Sequence, residues 1–132
     1  MLQHIVEAAA PVGRLLLAAL FLHEAWSKLT GYAAAVAYAQ AFGLPGELLP
    51  LAIAVEVGCG FLILLGYHTR VAALGLAGFC MMTAVVFHNK LGDHNQLLHF
   101  EKDMAIAGGL LVLFAHGGGT WALDAWRTRQ RE

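Results

Sequence analysis

The chain has 132 residues, of which 59% are hydrophobic and only 13% charged, against about 45–50% and 25% in ordinary soluble domains. Eight basic and nine acidic side chains cannot cover the surface of so small a domain, whose exposed area is large relative to its volume. With a mean hydropathy of +0.65 and a net charge of −1, both a basic nucleic-acid-binding surface and a disordered polar chain are excluded. Two cysteines, Cys59 and Cys80, are too few for a disulfide scaffold or a structural cysteine-zinc site. The composition is that of an integral membrane protein forming one domain over residues 1–132.

Four apolar segments follow in chain order, at about 8–29, 50–66, 71–88 and 97–116. Each approaches the roughly 17–25 residues that a helix needs to cross a bilayer. Runs such as LLLAALFL and FLILLG are apolar on every side, which excludes barrel strands with their period of two. The predicted fold is therefore all-α: an integral membrane four-helix bundle. Gly66 to Arg70 is a tight turn, making the second and third spans antiparallel neighbours. Between the first two spans, YAAAVAYAQAFG reads as a short amphipathic helix lying in the interface, with Tyr32, Tyr38 and Phe42 at headgroup level. The loop 89–102 is rich in His, Asn and Gln, and Gly117-Gly118-Gly119 ends the last span before a basic tail at 127–132. Four spans place both termini on one side, and Arg70, Arg127, Arg129 and Arg131 mark that side as cytoplasmic.

Sequence position converts into depth at about 1.5 Å per residue. Glu24 on the first span and Glu56 on the second then lie at similar depth, about 7–9 Å into the outer leaflet. Lys28 is one turn above Glu24 in the favourable i,i+4 order, and His23 is beside it. His88 and Asp103 reach the same level from the third and fourth spans. Charged groups inside a bilayer cost about 2.5–3.5 kcal/mol each unless they pair or face a cavity, so their convergence predicts a buried polar network. Ion pairs that merely tie helices together account for it equally well. As chemistry, Glu24, Lys28 and Glu56 are candidates for proton handling or for anchoring a quinone head. His23, His88 and Asp103 are further candidate cofactor contacts. Arg14, near the cytoplasmic end, is explained by snorkelling to headgroups, or by contact with an anionic lipid or a quinone carbonyl. Cys59 and Cys80 fall at comparable depths, as packed apolar thiols or as a redox pair. No HExxH, CxxC or CxxCH spacing supports a metal or haem, and Gly117-Gly118-Gly119 lacks the residues of a phosphate loop.

A further pattern runs along almost the whole chain. It comprises Gly13-Arg14-Leu15, Phe21-Leu22-His23, Lys28-Leu29, Glu56-Val57-Gly58, Leu65-Gly66 and Arg70-Val71-Ala72-Ala73-Leu74. It continues with Phe100-Glu101-Lys102-Asp103, Gly108-Gly109-Leu110-Leu111, Gly117-Gly118-Gly119 and Ala122-Leu123-Asp124. In this order, from Val12 to Asp124, the chain resembles the DoxX family of small four-helix membrane proteins. Glu24 departs from it, since the family often has Gly there. The resemblance implies a multi-pass bundle of the bacterial inner membrane. Relatives include the membrane subunit of a thiosulfate:quinone oxidoreductase and proteins associated with redox-stress complexes. The expected function is a redox-associated membrane subunit exchanging electrons with quinone, beside an oxidoreductase partner or a second copy, in contact with membrane lipids and with no nucleic acid. The alternative is a non-catalytic anchor for a soluble oxidoreductase, or a carrier of a small polar solute.

Overall fold

The computed structural model describes residues 1–132, and every regular element is helical. In chain order these are α1 (Leu2–Thr30), α2 (Tyr32–Ala41), a single 3-10 turn at Gly46–Leu48, α3 (Leu49–Leu65), α4 (Thr69–Phe87), α5 (His94–His116) and α6 (Leu123–Arg129). Three segments are long and apolar enough to cross a membrane: Leu2–Thr30, Gly46–Leu65 and Thr69–Phe87. The fourth long helix, α5, has 23 residues but carries Glu101, Lys102 and Asp103 in its first half. Only 21 of the 132 residues are buried, while Leu16, Leu51, Val71 and Val112 are exposed. A surface this apolar is matched to lipid rather than water.

Each long helix buries a stripe with helical spacing of three and four residues. On α1 it is Arg14, Ala18, Phe21 and Ala25. On α3 it is Leu49, Ile53, Glu56, Gly60 and Ile63. On α4 it is mostly alanine, at positions 72, 73, 77 and 84, with Leu76 and Cys80. Small side chains let backbones approach closely in lipid, and α4 packs most extensively against α5, α1 against α3. At Gly60 an added Cβ would lie 3.2 Å from a Leu22 methyl, so this glycine admits α1.

The connections follow from local chemistry. Gly66 takes the left-handed conformation (φ 69°) that ends α3. Its N–H donates to Ile63 O (3.1 Å) and the Tyr67 N–H to Leu62 O (2.9 Å), which satisfies the last carbonyls of the helix. α5 begins at His94, earlier than expected, because the Asp93 carboxylate caps it by accepting from the Asn95 N–H at 2.9 Å and the Gln96 N–H at 3.5 Å. α1 begins six residues before the expected position, running through Pro11.

The short helix between the first two spans is present as α2 but is not amphipathic. Its sequence YAAAVAYAQA contains no charge and therefore has no polar face. It docks through aromatic contacts, with Tyr38, Phe42 and Phe87 ring centroids 5.0–5.4 Å apart. Of the basic tail, Arg127 and Arg129 lie in α6.

Candidate functional site

Polar side chains collect at both ends of the bundle. At one end Lys28 continues the inward stripe of α1, and Glu56 sits within the inward stripe of α3. The Lys28 ammonium donates to Glu56 Oε1 at 2.9 Å and lies 3.6 Å from Glu24 Oε2. The three groups therefore meet, but unequally. The Glu56 side chain is 3% exposed and that of Glu24 51%. Glu56 Oε2 is buried with no hydrogen-bond partner, which is uncommon because buried polar atoms are nearly always satisfied.

A second group faces this one from α4 and α5. His88 Nδ1 is 3.1 Å from Gln96 Oε1, its Nε2 is 3.9 Å from Asp103 Oδ2, and its ring stacks on His99 at 5.0 Å. Asp103 lies within electrostatic reach of Glu24, and both Asp103 and Glu56 within reach of the Cys80 thiol. The two groups thus form one polar end around the top of the core. His23 is exposed and has no partner there. No three His, Cys, Asp or Glu side chains gather closely enough to hold a metal ion.

Cys59 and Cys80 are both free; Cys80 lies in the main core cluster and Cys59 packs against that cluster. Cys59 Sγ is 3.8 Å from the position a Cβ would take on Gly75. Gly75 is five residues before Cys80, about 7.5 Å along the axis and about 140° around it. The turn between α3 and α4 sets this register, which spacing alone left open.

The other end is held by Arg14. Its guanidinium is buried, with Nη1 donating to Leu64 O (3.0 Å) and Ile63 O (3.3 Å) and Nη2 to Trp121 O (3.0 Å). Instead of snorkelling, it satisfies the last carbonyls of α3, where the helix dipole favours a cation. Asp124, not among the expected site residues, caps α4. It accepts from the His68 N–H (2.8 Å), the Thr69 N–H (2.9 Å) and the Thr69 hydroxyl (2.8 Å). Burial pushes the Asp124 carboxyl up, but the bonds from Thr69 and His68 outweigh it and hold the group below the usual carboxylate range. Gly66 and Gly118 allow this closeness, for a Cβ on either would meet Ala122 within 3 Å. Asp124 is visible in the sequence only as part of a family motif, since its partners are 55 and 56 residues away.

A family model for DoxX matches residues 9–89. The chain belongs to the DoxX family. This DoxX protein is 42% identical over 113 residues to the inner membrane protein YqjF of Escherichia coli strain K12, covering 86% of this chain and 87% of that one. It is 33% identical over 128 residues to the inner membrane protein YphA of the same strain, covering 89% and 91%. No solved structure matches. Arg14, Gly66, Gly118, Ala122 and Asp124, all within the stretches that carry the family pattern, meet at the Arg14 end. There they lock the helix ends together. Lys28, Glu56 and Asp103 belong to the polar end.

Proposed function

We propose that this DoxX protein is a bacterial inner-membrane subunit whose Lys28–Glu56 end binds a quinone head and handles its protons, while a partner oxidoreductase exchanges the electrons. In this reading α5 is the fourth span. Its 23 residues give about 34 Å in all, and the 13 that follow Asp103, about 20 Å of helix, carry no Asp, Glu, Lys or Arg. Both termini are cytoplasmic, supported by Arg70, Arg127, Arg129 and Arg131 at the Arg14 end. The names of the two relatives support the inner membrane.

The observation that carries the reading is the buried, unpartnered Glu56 Oε2. An acceptor without a partner in an apolar surrounding is the place where a proton or a donor group is most strongly stabilised. Lys28 has three N–H donors. Two face Glu56 and Glu24, and the third suits a quinone carbonyl. Glu56 takes up and returns a proton at Oε2, and Asp103 with His88 connects the site to the polar connection 88–93. A bound quinone supplies two-electron, two-proton chemistry. The residues of this chain bind, orient and move protons, and the electrons come from the partner. The test is to purify the protein from native membranes in mild detergent and assay extracted quinone by chromatography. Retention of about one quinone per protein, lost in Glu56→Gln, supports the reading.

The Arg14 end favours a second reading, a non-catalytic anchor. Arg127 is held over the Tyr67 ring at 4.8 Å and Arg129 donates to Thr120 O at 3.2 Å, so α6 presents a fixed basic surface to a soluble oxidoreductase. Protein that retains no quinone but captures such an enzyme supports that alternative.

A further inference from the structure

Two grooves open side by side at the Arg14 end. One, of about 530 Å³, is lined by polar side chains and glycines, among them His68, Arg70, His116, Gly117, Asp124 and Thr128. Its neighbour, of about 380 Å³, is mainly apolar, with Leu65, Trp121, Leu123 and Trp126. They meet at Thr120, which lines both.

The charge in the polar groove is unbalanced. Arg70 is exposed and makes no hydrogen bond or ion pair. Its guanidinium lies over Gly117, where a Cβ would come within 3.4 Å of Nε and 3.7 Å of Nη2. The absence of a side chain there leaves room for the guanidinium beside the Gly117 backbone. The one carboxylate in the groove, Asp124, is engaged by its three bonds to His68 and Thr69 and does not pair with Arg70. A free guanidinium flanked by His68 and His116 is suited to a phosphate, which arginine binds in bidentate fashion. The adjoining apolar groove favours a ligand with hydrocarbon next to its phosphate. Trp121 and Trp126, exposed at 58% and 53%, are the side chains expected at the level of lipid headgroups.

We propose that the paired grooves bind one anionic phospholipid, its phosphate on Arg70 and its glycerol and first acyl segment between Trp121 and Trp126. A net-negative headgroup is preferred because a cationic one would set its own charge against Arg70 and Arg129. The site is independent of the Lys28–Glu56 end and of any quinone.

Native mass spectrometry of the full chain, released from detergent with phosphatidylglycerol or phosphatidylcholine of matched chains, tests this, with inorganic phosphate as a third arm. Retained phosphatidylglycerol is expected to exceed phosphatidylcholine by about fivefold, the advantage of one basic side chain at an anionic lipid. Arg70→Gln should bring the two lipids level, and millimolar inorganic phosphate should displace neither. Equal retention of both lipids by the wild type overturns the proposal, as does an undiminished preference in Arg70→Gln. Displacement by inorganic phosphate overturns the lipid assignment in favour of free phosphate. If Arg70→Gln does not fold, the wild-type comparison still decides, together with Trp126→Ala, which should lower retention of phosphatidylglycerol. Unchanged retention in Trp126→Ala counts against the apolar half of the site.

Discussion

Removing Glu56 tests whether the polar end is a coupled unit, because its three charges are unequally supported. Lys28 has two carboxylate neighbours, at 2.9 and 3.6 Å, whereas Glu56 has Lys28 alone. Breaking a buried pair costs about 3–5 kcal/mol when the remaining charge has no other support. In Glu56→Ala, Lys28 keeps Glu24 and, being 25% exposed, can lift its ammonium toward water, so a loss of about 2–3 kcal/mol is expected. Lys28→Met strands the buried Glu56 with neither oxygen partnered and should reach the full figure of about 3–5 kcal/mol. Glu24→Gln removes a half-exposed partner and should cost under about 1 kcal/mol. Glu56→Gln retains an acceptor for Lys28 and falls between Glu24→Gln and Glu56→Ala. Unfolding in mixed micelles with increasing sodium dodecyl sulfate, followed by circular dichroism, gives the order. If Glu24→Gln costs as much as Glu56→Ala, or Lys28→Met leaves stability unchanged, the pairing described here is wrong.

Gly66→Ala should be among the most damaging single-methyl additions. A Cβ there would lie 2.5 Å from both Ala122 Cβ and Arg14 Nη1, on backbone at φ 69°, so a loss of at least about 2 kcal/mol is expected, and an unchanged melting temperature would refute it. Asp124→Asn should cost about 1 kcal/mol, because the amide nitrogen that replaces one carboxylate oxygen cannot accept from the His68 or Thr69 N–H. Because the folded Asp124 carboxyl titrates below its unfolded value, its contribution is complete above the unfolded pKa of about 3.9 and is lost as pH falls through the folded value. The stability gap between wild type and Asp124→Asn should therefore narrow from pH 6 to pH 3, and a gap that widens contradicts the capping role. Mild oxidation should give no intramolecular disulfide between Cys59 and Cys80 by mass spectrometry. Its formation would overturn the register that sets Cys59 against Gly75.

Spans were legible in the sequence because continuous apolar runs and the Gly66 stop are local signals. Depth counting also brought Glu24, Lys28 and Glu56 to one level, since rise per residue is nearly constant along a helix. Rotation about the axis is more sensitive. His23 is one residue before Glu24, yet 100° per residue carries it to the outside. The same arithmetic separates the two cysteines, where a few residues of register decide whether thiols meet. Partners far apart in sequence left no local trace, as Arg14 with Trp121 and Asp124 with Thr69 illustrate. α2 is legible as a short helix between Gly31 and Gly46, but a stretch of mostly alanine with no charged residue does not make the amphipathic face expected of it.

Tryptophan fluorescence can report directly on quinone binding at the Glu56 end. The chain has three tryptophans, and replacing Trp121 and Trp126 by Phe leaves Trp26, on the last turns of α1 near Lys28. Titrating a short-chain quinone into this protein in detergent should quench Trp26 saturably. Glu56→Gln should weaken the apparent affinity by about tenfold, the value of one hydrogen bond to a charged group. Linear quenching that never saturates, or an identical curve in Glu56→Gln, would contradict a quinone site at Lys28 and Glu56.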